Sequence, residues 1–343
     1  MNILILSAAP NSSATKSIIN AVKKRGHTAI VKDPAYLYLL VSENVSGFDR
    51  IYDGFDKQNT PERLKAKDID AIISRIGGNL EYGAAVLEHL NNNLKIFSTQ
   101  KATGIKIAAN KLISTQKLSQ AKIKVPQTIL GDRAVHAKWM IEQIGGLPSI
   151  AKGLKGSQGK SIYPLNDEYQ SNVFLSNFYH KKDNLLLQNM IDSGGKDIRA
   201  IVIDGKVIAA MERTAKDGEL RSNISQGGSG KKIALSDADK QICIDASRAC
   251  GLEVSGVDLM KAKDGTTFVI EVNGNYGYQI ESITGIDIST PLVVYCEDNY
   301  KKGNKAPQAT PTNRVAPVRE NVIKEPEEES FAEILSRVTN EYL

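Results

Sequence analysis

Cysteine is scarce in this chain: Cys243, Cys250 and Cys296 are the only three in 343 residues, an odd number with no C-x-x-C pair. That argues against a disulfide framework and predicts buried, reduced thiols. Histidine is nearly as sparse. His27, His89, His136 and His180 lie far apart, and no spacing between them and the cysteines suits zinc. No apolar run approaches the roughly 20 residues of a membrane span, and the opening MNILILS lacks the basic flank and cleavage pattern of a signal peptide. A cytoplasmic protein with no membrane contact is expected. The net charge of +5 is modest at this length, and no run interleaves basic with aromatic residues, so no nucleic-acid platform is expected. Anionic small molecules explain the basic balance equally well.

What is present is a globular composition, 41% apolar and 24% charged, in a chain long enough for two or three domains or subdomains. The pattern over residues 1–98 is strand, turn, helix, strand, then strand, helix, strand, which predicts an α/β subdomain with a small parallel sheet. A long helical pattern runs from about Ile105 to Gln120. From Ile129 to Leu187 the order is strand, helix, strand, glycine loop, strand, helix, strand, and residues 99–187 together make a central lobe. Residues 188–302 form a further lobe in which Asp204-Gly205 and Asp264-Gly265 mark hairpins, with a helix capped by Ser236 between them. Residues 303–330 read as a flexible linker. Residues 331–343 carry Phe331, Ile334, Leu335, Val338 and Tyr342 at helical spacing, an amphipathic helix that either packs on its own domain or meets a partner.

The chemistry concentrates in GVDLMKAKDGTTFVIEVNG (256–274). Residues two apart on a strand share a face, so Glu271 and Asn273 project together while Val272 enters the core, and the hairpin brings Asp258 opposite them. Such an oxygen set suits Mg²⁺, which takes one or two carboxylates and completes its shell with phosphate and water; Mn²⁺ is the alternative ion. Taken alone, the same alternation also describes the polar face of an ordinary hairpin. Lys152, in the apolar run SIAKGL, calls for an anionic partner, and the glycine loop after it (Gly153 to Lys160) would let backbone N–H groups approach phosphate. It is not a Walker loop. A second cluster holds Asp197, Arg199, Arg213 and Arg221-Ser222-Asn223, either an anion clamp or surface ion pairs.

These motifs, in this order, resemble the ATP-grasp superfamily and within it the RimK-like (ribosomal-protein glutamate ligase-like) family. The likeness is carried by DIRAIVIDGKVIAAMERTAKDGELRSNISQGG, SGVDLMKAKDGTTFVIEVNG and ESITGIDIS, and more weakly by SRIGGNLEYG, NKLISTQKLSQAKIKVP and AKGLKGSQG. It implies an α/β N-terminal subdomain followed by an ATP-grasp fold, two α+β lobes clamping ATP. By that resemblance, Lys111 and Lys152 hold ATP phosphates beneath the loop Gly156, Ser157, Gln158 and Gly159. The stretch Gln188, Asn189, Met190 and Ile191 receives adenine, and Asp197, Arg221, Ser222 and Asn223 contact nucleotide. Asp258, Glu271 and Asn273 bind Mg²⁺, Arg199 and Arg221 act on the transferred phosphoryl group, and Arg75 and Arg213 face substrate.

The implied activity is an ATP-dependent ligase that joins an amino acid, glutamate or a similar one, to a carboxylate of a protein or small molecule through an acyl phosphate. Assembly as a homo-oligomer is compatible with the pattern. Two readings stay open beside it: an ATP-grasp kinase acting on a hydroxyl, and a non-catalytic ATP-binding regulatory module. The chain departs from the family where Asn110 replaces an aspartate, where Asn189 replaces an acidic residue, and where Gly274-Asn275-Tyr276-Gly277 replaces Ala-Ser-Pro-Gly after the metal strand.

Overall fold

Strand and helix alternate from the first residue. β1 (Asn2–Ser7) is followed by α1 (Ser13–Lys24), whose N-terminus is capped by Ser12 accepting from the Thr15 N–H at 3.2 Å, and by β2 (Thr28–Lys32). β3 (Leu37–Leu40), β4 (Arg50–Asp53) and β5 (Glu62–Leu64) come next, then β6 (Ala71–Arg75), α2 (Leu80–Glu88), β7 (Phe97–Ser98), α3 (Ala102–Ala109) and α4 (Lys111–Gln120). The structure is a computed structural model that describes residues 1–41, 50–131, 136–153, 162–179, 185–216 and 228–302. The proposed linker and C-terminal helix lie outside the described residues.

The first sheet is parallel, in the order β2-β1-β6-β7. Its central strand is buried on both faces, with Ile3 and Ile5 on one side and Leu4 and Leu6 on the other, as a parallel sheet covered by helices requires. Two features differ from the sequence expectation. β3, β4 and β5 form a separate antiparallel sheet that was not anticipated, because strands of three or four residues (LYLL, RIYD, ERL) are too short to show a period. The long helix expected over 105–120 is two helices. Asn110 leaves the helical conformation, and its Oδ1 accepts from the N–H groups of Leu112 and Ile113 at 3.1 and 3.2 Å, starting α4 afresh. An aspartate would cap equally well, so Asn110 preserves the function of the residue it replaces.

The middle region contains β8 (Thr128–Gly131), α5 (Ala137–Gln143), β9 (Ser149–Gly153), β10 (Ile162–Leu165), α6 (Glu168–Tyr179) and β11 (Leu185–Asn189). Its sheet is antiparallel, in the order β10-β9-β11-β8. The last region contains β12 (Lys196–Ile203), β13 (Lys206–Thr214), β14 (Ser229–Lys232), α7 (Asp237–Ala249), β15 (Val254–Lys261), β16 (Thr267–Asn273), α8 (Gln279–Thr284) and α9 (Ser289–Lys301). Its antiparallel sheet runs β14-β13-β12-β15-β16. Asp204 and Gly205 both have positive φ, +50° and +67°, the two-residue turn whose twist matches the strands it joins. The Asp264-Gly265 turn is one residue longer: the Gly265 N–H donates to Ala262 O and the Ala262 N–H to Thr266 O, each at 2.9 Å.

All three cysteines are buried and free, and burial raises their thiols, Cys243 to about 12 and Cys250 to about 11. No helix among the described residues is long and apolar enough to cross a membrane.

Candidate active site

The β12–β15–β16 ladder sets the site. Arg199 lies directly opposite Asp258, and Asp258 directly opposite Glu271, so the three share a row across the sheet; Gly256 pairs with Asn273 in the row beside it. Directly opposed residues point to one face, which places Asp258, Glu271 and Asn273 together. Val272 points away and is fully buried. An extra residue in β16, Ile270, shifts the register between Asp258 and Leu259. This bulge bends the strand beside the acids, a common device for aiming side chains at a site.

Among the described residues, Asn273 Nδ2 is buried without a hydrogen-bond partner, a donor that calls for an acceptor oxygen and not for a cation. No three His, Cys, Asp or Glu side chains among the described residues form a metal cage. Two carboxylates and an amide oxygen fit a hard ion that also takes phosphate and water, so the donor set suits Mg²⁺.

The cations are paired in an unforeseen way. Arg199 donates from Nε and Nη2 to the two Asp258 oxygens at 2.6 and 2.5 Å. Arg213 donates from Nε and Nη2 to both Asp197 oxygens at 2.6 and 2.7 Å, and its Nη2 also stands 3.3 Å from Asp258. Arg213, expected to meet substrate, is only 4% exposed and bridges two carboxylates instead. Burial alone would raise the Asp258 carboxyl, but Arg199 and Arg213 outweigh it and hold the group below its ordinary range.

Lys152 sits on β9, half-buried, and burial pushes its ammonium down to about 8; Glu271 opposes that shift and Lys111 adds to it. Glu271 and Lys111 therefore both act on the Lys152 ammonium. Lys111 is the first residue of α4. Gln188 is buried at the end of β11 and donates from Nε2 to Thr128 Oγ1 at 2.8 Å, while the Asn189 N–H donates to Gln127 O at 3.1 Å; Met190 and Ile191 follow, half-buried. Gly156, Ser157, Gln158, Gly159, Arg221, Ser222 and Asn223 lie outside the described residues.

Arg75 ends β6 and reaches the remodelled loop after β16. Its Nη2 donates to Tyr276 O at 2.9 Å, and its guanidinium carbon lies 5.4 and 5.0 Å from the ring centres of Tyr276 and Tyr278. Those rings stack 5.8 Å apart at an angle of 5°. Tyr276 fits because Gly256 has no side chain: a Cβ there would lie 2.7 Å from the Tyr276 Cβ. Sequence reading missed the tyrosines' role and that of Gln100, which donates to Val254 O at 2.7 Å and Gly274 O at 2.6 Å, bracing the strand ends behind the site. The only signal was that Tyr276 and Tyr278 stand in a stretch that departs from the family.

Residues 1–105 match the RimK PreATP-grasp domain and residues 108–296 the RimK-like ATP-grasp domain. A probable alpha-L-glutamate ligase of Haemophilus influenzae is 35% identical over 303 residues, covering 87% of this chain and 98% of that relative. One from Syntrophotalea carbinolica is 32% identical over 309 residues, covering 88% and 97%. In fold, the chain is similar to the ATP-grasp ligase PsnB complexed with a phosphomimetic minimal precursor, Mg and ADP, at TM-score 0.66 and 18% identity over 87% of this chain and 98% of PsnB. It is also similar to D-alanine–D-alanine ligase from Bacillus anthracis complexed with ATP, at TM-score 0.60 and 18% identity over 89% and 99%.

Proposed function

The chain belongs to the RimK-like ATP-grasp family and is an ATP-dependent carboxylate–amine ligase, and we propose that it joins glutamate, or a similarly acidic amino acid, to a carboxylate of a protein or small molecule. The observation that carries this reading is the meeting of Asp258, Glu271 and Asn273 on one face with Lys152 and Lys111 within electrostatic reach.

Amide formation from a free carboxylate is uphill in water, so the carboxylate must first be activated. One of its oxygens attacks the γ-phosphorus of ATP, the bond to the β,γ-bridging oxygen breaks, and ADP leaves. The amine nitrogen then attacks the acyl carbon, loses a proton, and expels inorganic phosphate. Asp258, Glu271 and Asn273 would hold Mg²⁺, which would supply charge neutralisation at the phosphates. Lys111 and Lys152 position those phosphates. Arg199 stabilises the charge on the transferred group, a role for which Arg221 is the second candidate from sequence. Arg213 keeps Asp197 and Asp258 in place. Arg75, stiffened by the two tyrosine rings, offers its remaining N–H groups to a substrate carboxylate. An amino acid with a second carboxylate suits such a guanidinium, which together with the names of the relatives favours glutamate.

Incubation with ATP, an acceptor and hydroxylamine should yield a hydroxamate. A panel of twenty amino acids should give ADP release stimulated by glutamate or aspartate. A stable phosphorylated alcohol would instead make the chain a kinase, and stimulation by lysine or alanine alone would overturn the choice of amine.

A further inference from the structure

Both oxygens of the carboxylate proposed to hold the metal are already taken, and by a cation. Arg199 faces Asp258 in register and binds it through two charge-assisted hydrogen bonds, with the Asp258 side chain only 9% exposed. A hard dication needs those same oxygens, and opening a buried ion pair is strongly unfavourable unless each charge finds a new partner. The two arginines differ here. Arg213 is fixed by its two bonds to Asp197 and stands farther from Asp258, with one nitrogen at 3.3 Å, whereas among the described residues Arg199 has no ion pair except the one with Asp258. Arg199 is thus the one that can leave, provided an anion receives it.

We propose that Arg199 is a built-in counter-cation that keeps the divalent site closed, so that the ion enters together with the nucleotide and not ahead of it. A triphosphate arriving at Lys111 and Lys152 gives Arg199 a phosphate oxygen in exchange for the Asp258 carboxylate. The dication then takes the place of the guanidinium. Each charge trades one partner for another, so no buried charge is left alone. A dication arriving alone offers Arg199 nothing and adds positive charge to a site that already holds Lys111, Lys152 and Arg199. The inference rests on the ligase reading only in requiring metal and nucleotide to meet at this face.

The test is direct binding of Mn²⁺ alone to the full chain, with free ion counted by its electron paramagnetic resonance signal. Arg199→Met should bind Mn²⁺ without nucleotide at least about tenfold more tightly than the parent chain, since the guanidinium bonded to both Asp258 oxygens is gone. Equal or weaker binding by a folded Arg199→Met protein overturns the proposal. A second measurement needs no Arg199 variant. Wild type and Asp258→Asn should bind nucleotide-free Mn²⁺ alike, because the Asp258 carboxylate is occupied by Arg199 in one and absent from the other; a tight nucleotide-free site in wild type that Asp258→Asn removes also overturns it. The hydroxamate assay separates the two claims. Hydroxamate formation with a tight, Asp258-dependent, nucleotide-free Mn²⁺ site refutes only the gating, whereas the expected Mn²⁺ behaviour without hydroxamate refutes only the ligase reading.

Discussion

Raising the pH past about 8 should weaken nucleotide binding while stabilising the free protein. Lys152 titrates near 8 because burial disfavours its charge. Its ammonium is therefore about half populated at pH 8 and falls to roughly a tenth at pH 9. If only the charged form holds phosphate, the apparent Kd for Mg-ADP rises by about tenfold per pH unit above 8, close to 1.4 kcal/mol per unit. Stability moves the other way. The folded pKa lies below the ordinary value of 10.5, so between those two pH values the unfolded chain binds more protons than the folded one, and stability increases with pH. The linkage ceiling is about 3 kcal/mol, and the gain will be smaller because the side chain keeps some solvent contact.

Calorimetric titration with Mg-ADP from pH 7 to 9.5, with thermal melts of the free protein on the same samples, reads both signs. Binding is the proper measurement because an amino-acid substrate has its own amine titration, which would distort turnover. Lys152→Met should bind weakly and show no comparable pH dependence. A wild-type affinity that changes less than about twofold up to pH 9.5 would refute the reasoning, as would the same slope in the methionine variant.

Three other outcomes are expected. Glu271→Gln should lower ATP turnover by at least about a hundredfold while leaving the melting temperature near the parent value; unchanged turnover would remove Glu271 from the metal site. Tyr276→Leu should raise the KM for the amino acid by about tenfold with the KM for ATP unchanged, because Arg75 loses one of the rings that hold it; a change in both would indicate a general structural effect. Glu297 accepts two bonds from Arg25, at 2.7 and 2.6 Å, and lies 2.7 Å from His27, which together bring its carboxyl down to about 2. Since the depressed carboxyl contributes stability above its ordinary pKa and loses it as pH falls toward 2, Glu297→Gln should cost about 1–2 kcal/mol at pH 7, after allowance for the partial exposure of Arg25. Denaturation at pH 7 and pH 3 should show the difference between the proteins shrinking in acid.

Features that depend on neighbours in the chain were legible in advance. The two-residue period alone put Glu271 and Asn273 on one side and Val272 in the core, and the Asp-Gly pairs marked both hairpins. Ser236 marked the start of α7 through its cap. What depends on which strands become neighbours was not legible. Asp197 and Arg213 are sixteen residues apart, and Arg199 and Asp258 fifty-nine; only the strand order β13-β12-β15 turns them into buried pairs. A charge on a strand looks the same in sequence whether it faces solvent, substrate or its opposite on the next strand. The tyrosine support beneath Arg75 spans two hundred residues and depends on Gly256, whose reason for being glycine appears only when Tyr276 lies against it.

The charges of the site connect the proposed gating with the pH dependence. Asp197 and Arg213 cancel in the charge sum through their paired bonds, although Arg213 also stands 3.3 Å from Asp258. Among the described residues, Lys111, Lys152 and Arg199 then stand against Asp258 and Glu271 in the sum, an excess of one positive charge below pH 8. A dication alone would increase that excess beside the buried Asp258, where like charges are costly. A nucleotide alone would meet Glu271 and a still-paired Asp258. The metal and nucleotide together bring net negative charge and give every guanidinium, ammonium and carboxylate an opposite partner. Deprotonating Lys152 removes one of the cations that balance the incoming phosphates, so the feature that excludes a solitary ion also makes nucleotide affinity fall as pH rises.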